Sequence, residues 1–472
     1  MSDLPSIPLG VFAPQLPVVS ALAGALLAGM WNPSGRLARL IGSAGVLAGL
    51  VLLFAAPPCP DTWLARAGGV AKAWQCLFHL SALAFLASHD ARGERPVALL
   101  LAALLGMDMI AAANDLFALF IGLELMSLPT YLLVYGLRPD QRSLEGAVKY
   151  FFAGGVASAL FLFGLSLWYA SSGTTALSPG GLLGGGSGRG AGLGFALMGC
   201  AALFKMGVFP FHFWLPDVYE AAEPELGAFM STAVKAAGFL MLMLLSIGHS
   251  SFDPLGNSGA FFPNLGAWLP FLSVATMTIG NLLALRQRNL RRLLAYSSIA
   301  HVGTLLAALW VWQAEGHGEE LATIWFYLAA YLFMNTGAFL FLKVAGVCET
   351  DELRGYGSRA PWPAALFALM LLSLGGVPPT SGFLAKLYVI WDLLKGGGAL
   401  LAAAVALNSL LGLGYYLNLV RIMILEEAGP RTAPRPAGAG LWTGLVLACC
   451  AGASVLGFVP ASRDWLFALL TS

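Results

Sequence analysis

The sequence predicts an all-α polytopic membrane protein of about fourteen transmembrane helices, and three features predict it. Hydrophobic residues make up 58% of the chain, the mean hydropathy is +0.78, and charged residues make up only 10%, against roughly 25% in a soluble protein. The apolar residues also gather into runs near the ~20 residues that a helix needs to cross a hydrocarbon core. With a net charge of +1 there is no basic or acidic excess, so the lipid bilayer is the expected partner and nucleic acid is not. None of the six cysteines forms a CxxC pair, and four lie in or beside apolar runs. They read as packing residues, and neither a metal site nor an iron–sulfur cluster is expected in this chain.

The spans run in order along the chain. MSDLPSIPLG lacks the basic flank of a signal peptide, so the first run, Leu9–Met30, is expected to be retained as a span. The shorter runs Leu40–Ala55 and Trp74–Ala87 complete an N-terminal three-helix region, residues 1–90. Within residues 91–250 come Pro96–Ala113, Leu116–Tyr135, Phe151–Ala170, Leu193–Phe211 and Leu226–Ile247, spans four to eight. Arg138, Arg142 and Lys149 separate the fifth from the sixth, and the glycine-rich SPGGLLGGGSGRG, read as a flexible connection, separates the sixth from the seventh. Within residues 251–428 come Leu265–Leu285, Leu293–Trp312, Leu321–Val344, the long and interrupted Trp362–Leu394, and Leu400–Val420, spans nine to thirteen. Leu441–Phe458, within residues 429–472, is the fourteenth. The connections leave no room for a soluble domain.

Lysine and arginine counting orients the chain. With the N-terminus outside, 17 of the 25 basic residues fall on the cytoplasmic side and five on the outer side. The remaining three, Lys205, Lys235 and Lys386, lie inside the membrane. An even number of spans puts both termini outside.

GVFPFHFWLPDVY, from Gly207 to Tyr219, and GVPPTSGFLAKLY, from Gly376 to Tyr388, share Gly, Val, Pro, Leu and Tyr at a constant offset of 169 residues. They fall in the proline-interrupted seventh and twelfth spans. An odd separation of five spans gives the copies opposite directions, as in inverted repeats of spans 4–8 and 9–13. Broken helices at matching places in two inverted halves point to a transport site. The backbone groups they free survive at that depth only beside protein or water.

Glu124 and His301 each lie about eight residues into their spans, the fifth and the tenth, which is roughly 12 Å deep. Lys205 and Lys235 sit at similar depth in the seventh and eighth, and Lys386 comes after the PPTSG break in the outward half of the twelfth. An isolated charge near the bilayer centre costs roughly 2.5–3.5 kcal/mol, so three lysines and a glutamate left unpaired amount to ~10 kcal/mol. Pairing is the remedy. Glu124 beside Lys205 would keep both ionised, and loss of that neighbour would free the lysine's proton. His301 accepts and donates near neutral pH and would bridge Lys235 to Lys386. Pro129 cannot donate to the Leu125 carbonyl, which leaves an acceptor for water next to Glu124. Plainer readings stand beside these: lysines that snorkel to the interface, Glu124 as a structural ion-pair partner, and His301 bonded to a neighbouring helix. His79 reads as a packing histidine, Asp108 and Asp115 as interfacial, RQRNLRRLL as a topology anchor, and the aromatics of Phe209–Trp214 as an interface belt.

The stretches IGLELMSLPTYLLV, RSLEGAVKYFFAGGVASALFLFG, FKMGVFPFHFWLPDVYE, LLAYSSIAHVGTLLAA, YLFMNTGAFLFL and GGVPPTSGFLAKLYV resemble the antiporter-like membrane subunits of respiratory complex I, the N-type most closely. The resemblance covers roughly residues 90–425. It implies fourteen helices, two inverted five-helix bundles and broken seventh and twelfth helices. It places the family's proton-transfer residues on Glu124, Lys205, Lys235, His301 and Lys386. Lys386 and the DVYE of Asp217 to Glu220 agree with the N-type, whereas Asp108 departs from the apolar residue expected there. Implied with it are a proton-translocating role in a bacterial inner membrane, M-type and L-type subunits and small K-, J- and A-type membrane subunits as partners, and no cofactor on this chain. NADH, FMN, iron–sulfur clusters and quinone would belong to partner subunits. Two other readings share the fold and its lysines: a subunit of a multi-subunit cation/proton antiporter or membrane-bound hydrogenase-type complex, and a non-pumping structural module.

Overall fold

In lipid every backbone N–H and C=O must be satisfied within its own segment, so apolar runs fold as helices. A computed structural model describes residues 13–31, 34–55, 68–90, 93–177, 189–250, 265–315 and 319–433, with Gly444, Leu447 and 450–452 from the C-terminal part. Ten of its helices are long and apolar enough to cross a membrane. In chain order the helices are α1 (Leu16–Trp31), α2 (Arg36–Ala55), α3 (Gly69–Ser88), α4 (Arg95–Ala112), α5 (Leu116–Gly136), α6 (Gln141–Ser172), α7 (Arg189–Met206) and α8 (Leu215–Ala221). Then come α9 (Pro224–Ser246), α10 (Leu265–Ala284), α11 (Leu290–Glu315), α12 (Glu320–Ala345), α13 (Pro361–Gly375), α14 (Ser381–Lys395) and α15 (Ala399–Leu425). Most of the fourteenth expected span and the Ser178–Gly188 part of the glycine-rich connection lie outside the described residues.

Several helices outrun their apolar runs. α6 has 32 residues and starts ten residues before its run, where Asp140 accepts a hydrogen bond from the Ser143 amide and Ser143 Oγ accepts one from the Asp140 amide, a capping box. Its first turns carry Glu145 and Lys149, 2.7 Å apart, a pair suited to water rather than lipid. α1 starts at Leu16, with Pro17 in its first turn, where the missing N–H has no intrahelical partner to lose.

Burial sorts the helices into a centre and a periphery. α9 is buried along its whole membrane window and α11 for 89% of it, whereas α2 and α6 are buried for 33% and expose the rest. The lysine of α9 and the histidine of α11 therefore lie on the axis of the molecule.

Local geometry recurs along the chain. Ahead of α5, the Leu116 amide donates to Thr175 O (2.8 Å) and the Leu177 amide to Asn114 O (2.9 Å), closing a one-residue antiparallel bridge behind α6. Ahead of α11, the Leu290 amide donates to Cys348 O (2.8 Å) and the Thr350 amide to Arg288 O (2.9 Å), closing the same bridge behind α12. Asp115 caps α5 by accepting from the Phe117 and Ala118 amides, and Asn289 accepts from the Arg292 amide at the matching place.

Candidate functional site

The two helix breaks are built alike. After α7, Gly207 takes φ 72°, its amide donates to Phe204 O (3.0 Å), and the Val208 amide donates to Leu203 O (3.0 Å). After α13, Gly376 takes φ 80°, donates to Ser373 O (3.0 Å), and Val377 donates to Leu372 O (3.0 Å). This is the left-handed glycine cap, which a side chain would strain. Each break also holds a cis prolyl bond, Phe209–Pro210 and Pro378–Pro379.

Beyond the caps the two copies diverge. Lys386 on α14 folds back so that Nζ donates to Leu374 O (2.8 Å) and Gly375 O (3.1 Å), carbonyls that the end of α13 leaves open. A cation at a helix C-terminus is stabilised by the macrodipole. The matching residue on α8, Asp217, instead pairs with Lys149 (2.9 Å) and Arg292 (2.6 Å), and Glu220 also reaches Arg292 (2.9 Å). Arg291 is buried and donates to Ala222 O (2.8 Å). The arginine run is thus tied into α8 and does more than anchor topology.

Lys205, in the last turn of α7, is 1% exposed. Its Nζ donates to Tyr131 Oη (2.8 Å) and lies over the Tyr131 and Tyr150 rings at 4.8 and 5.3 Å, where the ring faces attract a cation. Trp214, 3% exposed, stacks on Tyr150 with centroids 4.4 Å apart. The interface-belt reading of Phe209–Trp214 is therefore corrected: Phe213 is 66% exposed, but Trp214 walls the lysine's site. Exposure along a non-helical turn has no period to read from sequence.

Glu124 is half-buried on α5 and accepts a short hydrogen bond from Ser158 Oγ. Among the described residues no ion pair within 4.0 Å joins it to Lys205, whose Nζ bonds Tyr131 Oη instead. Tyr131, seven residues on and so on the same helical face, makes the contact to the lysine. Its hydroxyl has room because residue 154 on α6 is glycine, where a Cβ would come within 1.9 Å of Tyr131 Oη.

Lys235 is buried on α9, directly after a π-helical turn at Met230–Val234 that sequence reasoning missed. Its Nζ donates to Ser298 Oγ (2.6 Å) on α11. His301, one turn further along α11, has Nδ1 2.7 Å from Tyr327 Oη and Nε2 3.5 Å from Tyr416 Oη. His301 and Lys386 line one cavity of about 20 Å³ with Asn281, Thr304, Asn408 and Tyr415, enough for a single water. The structure thus joins His301 to Lys386 through a cavity and places both central lysines against hydroxyls, which donate and accept equally well. No direct hydrogen bond joins Lys205 to Lys235 or Lys235 to His301 among the described residues.

Asp108 corrects an expectation. It is 0% exposed: in the last turns of α4 its side chain faces α3 rather than water, with Oδ1 3.6 Å from His79 Nδ1 and, among the described residues, neither oxygen hydrogen-bonded. His79 Nδ1 lies 2.8 Å from Gln75 O, and among the described residues its Nε2 has no hydrogen-bond partner. Among the described residues no group of three His, Cys, Asp or Glu side chains is placed to hold a metal.

A family model described as NADH:quinone oxidoreductase/Mrp antiporter, TM, matches residues 113–412. NADH-quinone oxidoreductase subunit N 1 of Koribacter versatilis is 38% identical over 386 residues, covering 75% of this chain and 70% of that one. NADH-quinone oxidoreductase subunit N of Geobacillus kaustophilus is 34% identical over 498 residues, covering 98% of this chain and 96% of that one. A chain of respiratory complex I from Thermus thermophilus, solved with bound aureothin, superposes with a TM-score of 0.81 at 28% identity, over 95% of this chain and 97% of that one.

Proposed function

The chain belongs to the NADH:quinone oxidoreductase/Mrp antiporter family of membrane proteins, and from that premise we propose the route by which it moves protons. It is a multi-pass, proton-translocating membrane subunit of NADH:quinone oxidoreductase, respiratory complex I. Protons are taken up from the cytoplasm near the break between α7 and α8, reach Lys205, pass to Lys235, and travel through His301 and its cavity to Lys386 for release on the periplasmic side. Glu124, acting through Tyr131, sets how firmly Lys205 keeps its proton. The observation that carries this route is the line of Lys205, Lys235, His301 and Lys386, each no more than 7% exposed, and each bonded to hydroxyls or to open helix carbonyls.

The fold proposal has fourteen spans in a bacterial inner membrane, with both termini periplasmic, an N-terminal three-helix region (1–90), two inverted five-span units (91–250 and 251–428) and a last helix (429–472). The matched glycine caps and matched bridges support it. Redox chemistry would take place on NADH, FMN, iron–sulfur clusters and quinone in partner subunits, and the M-, L-, K-, J- and A-type membrane subunits would adjoin this one. Lys205→Ala and Lys235→Ala are each expected to impair proton pumping coupled to NADH oxidation in membrane vesicles. Undiminished pumping in both overturns the route.

A further inference from the structure

A second ionisable cluster lies away from this route, where α3 ends, α9 begins and α12 ends. Lys343 Nζ donates to Ser88 O (2.6 Å) and Glu225 Oε1 (2.8 Å) and lies 3.4 Å from Asp90. His89 Nδ1 lies 3.4 Å from the same Glu225 oxygen, and Arg39 on α2 donates to His89 O (2.7 Å). Exposure falls steeply inward, from 76% at Asp90 to 17% at Lys343 and 4% at Glu225. The deep atoms are not satisfied: among the described residues Glu225 Oε2 and His89 Nε2 have no hydrogen-bond partner, nor has Asn335 Oδ1, deeper between α12 and α9. Buried polar atoms are normally hydrogen-bonded, so these mark positions for water. Asn335 Nδ2 donates to Ser231 Oγ (2.5 Å), on the π-helical turn that leads into Lys235. From Glu225 to Ser231 is about 9 Å along α9, and from Ser231 to Lys235 about 6 Å, so two or three waters span the first gap and one the second.

We propose that His89, Glu225 and Lys343 gather protons from the cytoplasm and feed Lys235 past Ser231 and Asn335, a second inlet separate from the break between α7 and α8. Each passage breaks the O–H bond of a protonated Glu225 and ends in an N–H bond on a vacated Lys235 amine, with water oxygens exchanging protons between. The carboxylate left behind takes the next proton from solvent by way of Asp90 and His89. Lys343 holds Glu225 in place and keeps the cluster from accumulating negative charge.

The inlet rests on Lys235 being a proton carrier, so Lys235→Ala is measured alongside it. In intact complex whose assembly is checked on native gels, Glu225→Gln and Asn335→Leu are expected to slow NADH-driven pumping severalfold, short of the roughly 10²–10⁴-fold that loss of a sole proton donor costs because the first inlet still operates, while Glu225→Asp restores it. A starved inlet also makes the rate rise as the cytoplasmic-side pH is lowered, whereas a merely structural defect slows it equally at every pH. If Asn335→Leu does not assemble, Ser231→Ala removes the same relay with one atom. Normal pumping in Glu225→Gln together with a block in Lys235→Ala overturns the inlet alone. Normal pumping in Lys235→Ala overturns the inlet, and normal pumping in Lys205→Ala as well overturns the route with it.

Discussion

Gly154→Ala tests the lysine site without touching an ionisable group. The new Cβ would lie 1.9 Å from Tyr131 Oη, against an ordinary contact of about 3.5 Å. The ring must therefore retreat by about 1.5 Å. It has little space to do so, because Tyr131 packs edge-on against Tyr150 at 4.4 Å and against Phe151 at 6.1 Å. A retreat of that size carries the hydroxyl from 2.8 Å to beyond hydrogen-bonding reach of Lys205. A hydrogen bond to a charged group is worth about 1.5–3 kcal/mol, which is roughly a ten- to 150-fold change in how the site partitions a proton. The assay is proton pumping per NADH oxidised in vesicles, compared with Tyr131→Phe, which deletes the hydroxyl outright. Both variants are expected to lose coupling to a similar degree. Normal coupling in Gly154→Ala with a defect in Tyr131→Phe would refute the close approach, and normal coupling in both would refute the role of the tyrosine.

Two further outcomes concern groups outside the route. His79→Leu removes the imidazole that lies 3.6 Å from the buried Asp108 carboxyl, and disturbing a buried polar contact from one side costs about 1–3 kcal/mol. The double variant His79→Leu/Asp108→Leu should melt closer to the wild type than either single one in thermal unfolding of the purified complex, and additive losses would show that the two do not interact. The Ser143 amide, hydrogen-bonded to Asp140, holds that carboxyl below its ordinary range. Its capping contribution to α6 is thus complete above the unfolded carboxyl's value and is lost as pH falls through the lowered folded value. Proteolytic nicking between α5 and α6 should rise at acid pH in the wild type and be high at every pH in Asp140→Ala; a profile unchanged by the substitution would refute the cap.

Much of this architecture was legible in the residues, because lipid makes demands that composition reveals. Apolar runs mark helices, and a charge inside one is rare enough that Lys205, Lys235 and Lys386 stand out. The offset between Gly207 and Gly376 was readable because a positive φ admits few residue types. The hidden part depends on which faces meet. Tyr131 looks like any aromatic in an apolar helix until α6 brings Gly154 against it. Asp108 seemed interfacial because counting from a helix end measures depth and says nothing about the neighbouring helix. The π-helical turn before Lys235 leaves no mark on hydropathy at all. Glu225 and His89 were passed over because both sit near helix ends, where charge is ordinary, and only their burial sets them apart.

The ammonium of Lys386 closes the end of α13. A lysine that gives up its proton keeps two N–H groups but loses its charge, so its bonds to the carbonyls of Leu374 and Gly375 weaken and another donor can compete for them. Within a membrane the replacement at hand is water, drawn towards the small cavity beside His301. On the proposed route, discharge of Lys386 would loosen the end of α13 and let water towards that cavity, and the return of a proton would tighten it again. The helix end would then act as a valve whose moving part is a hydrogen bond.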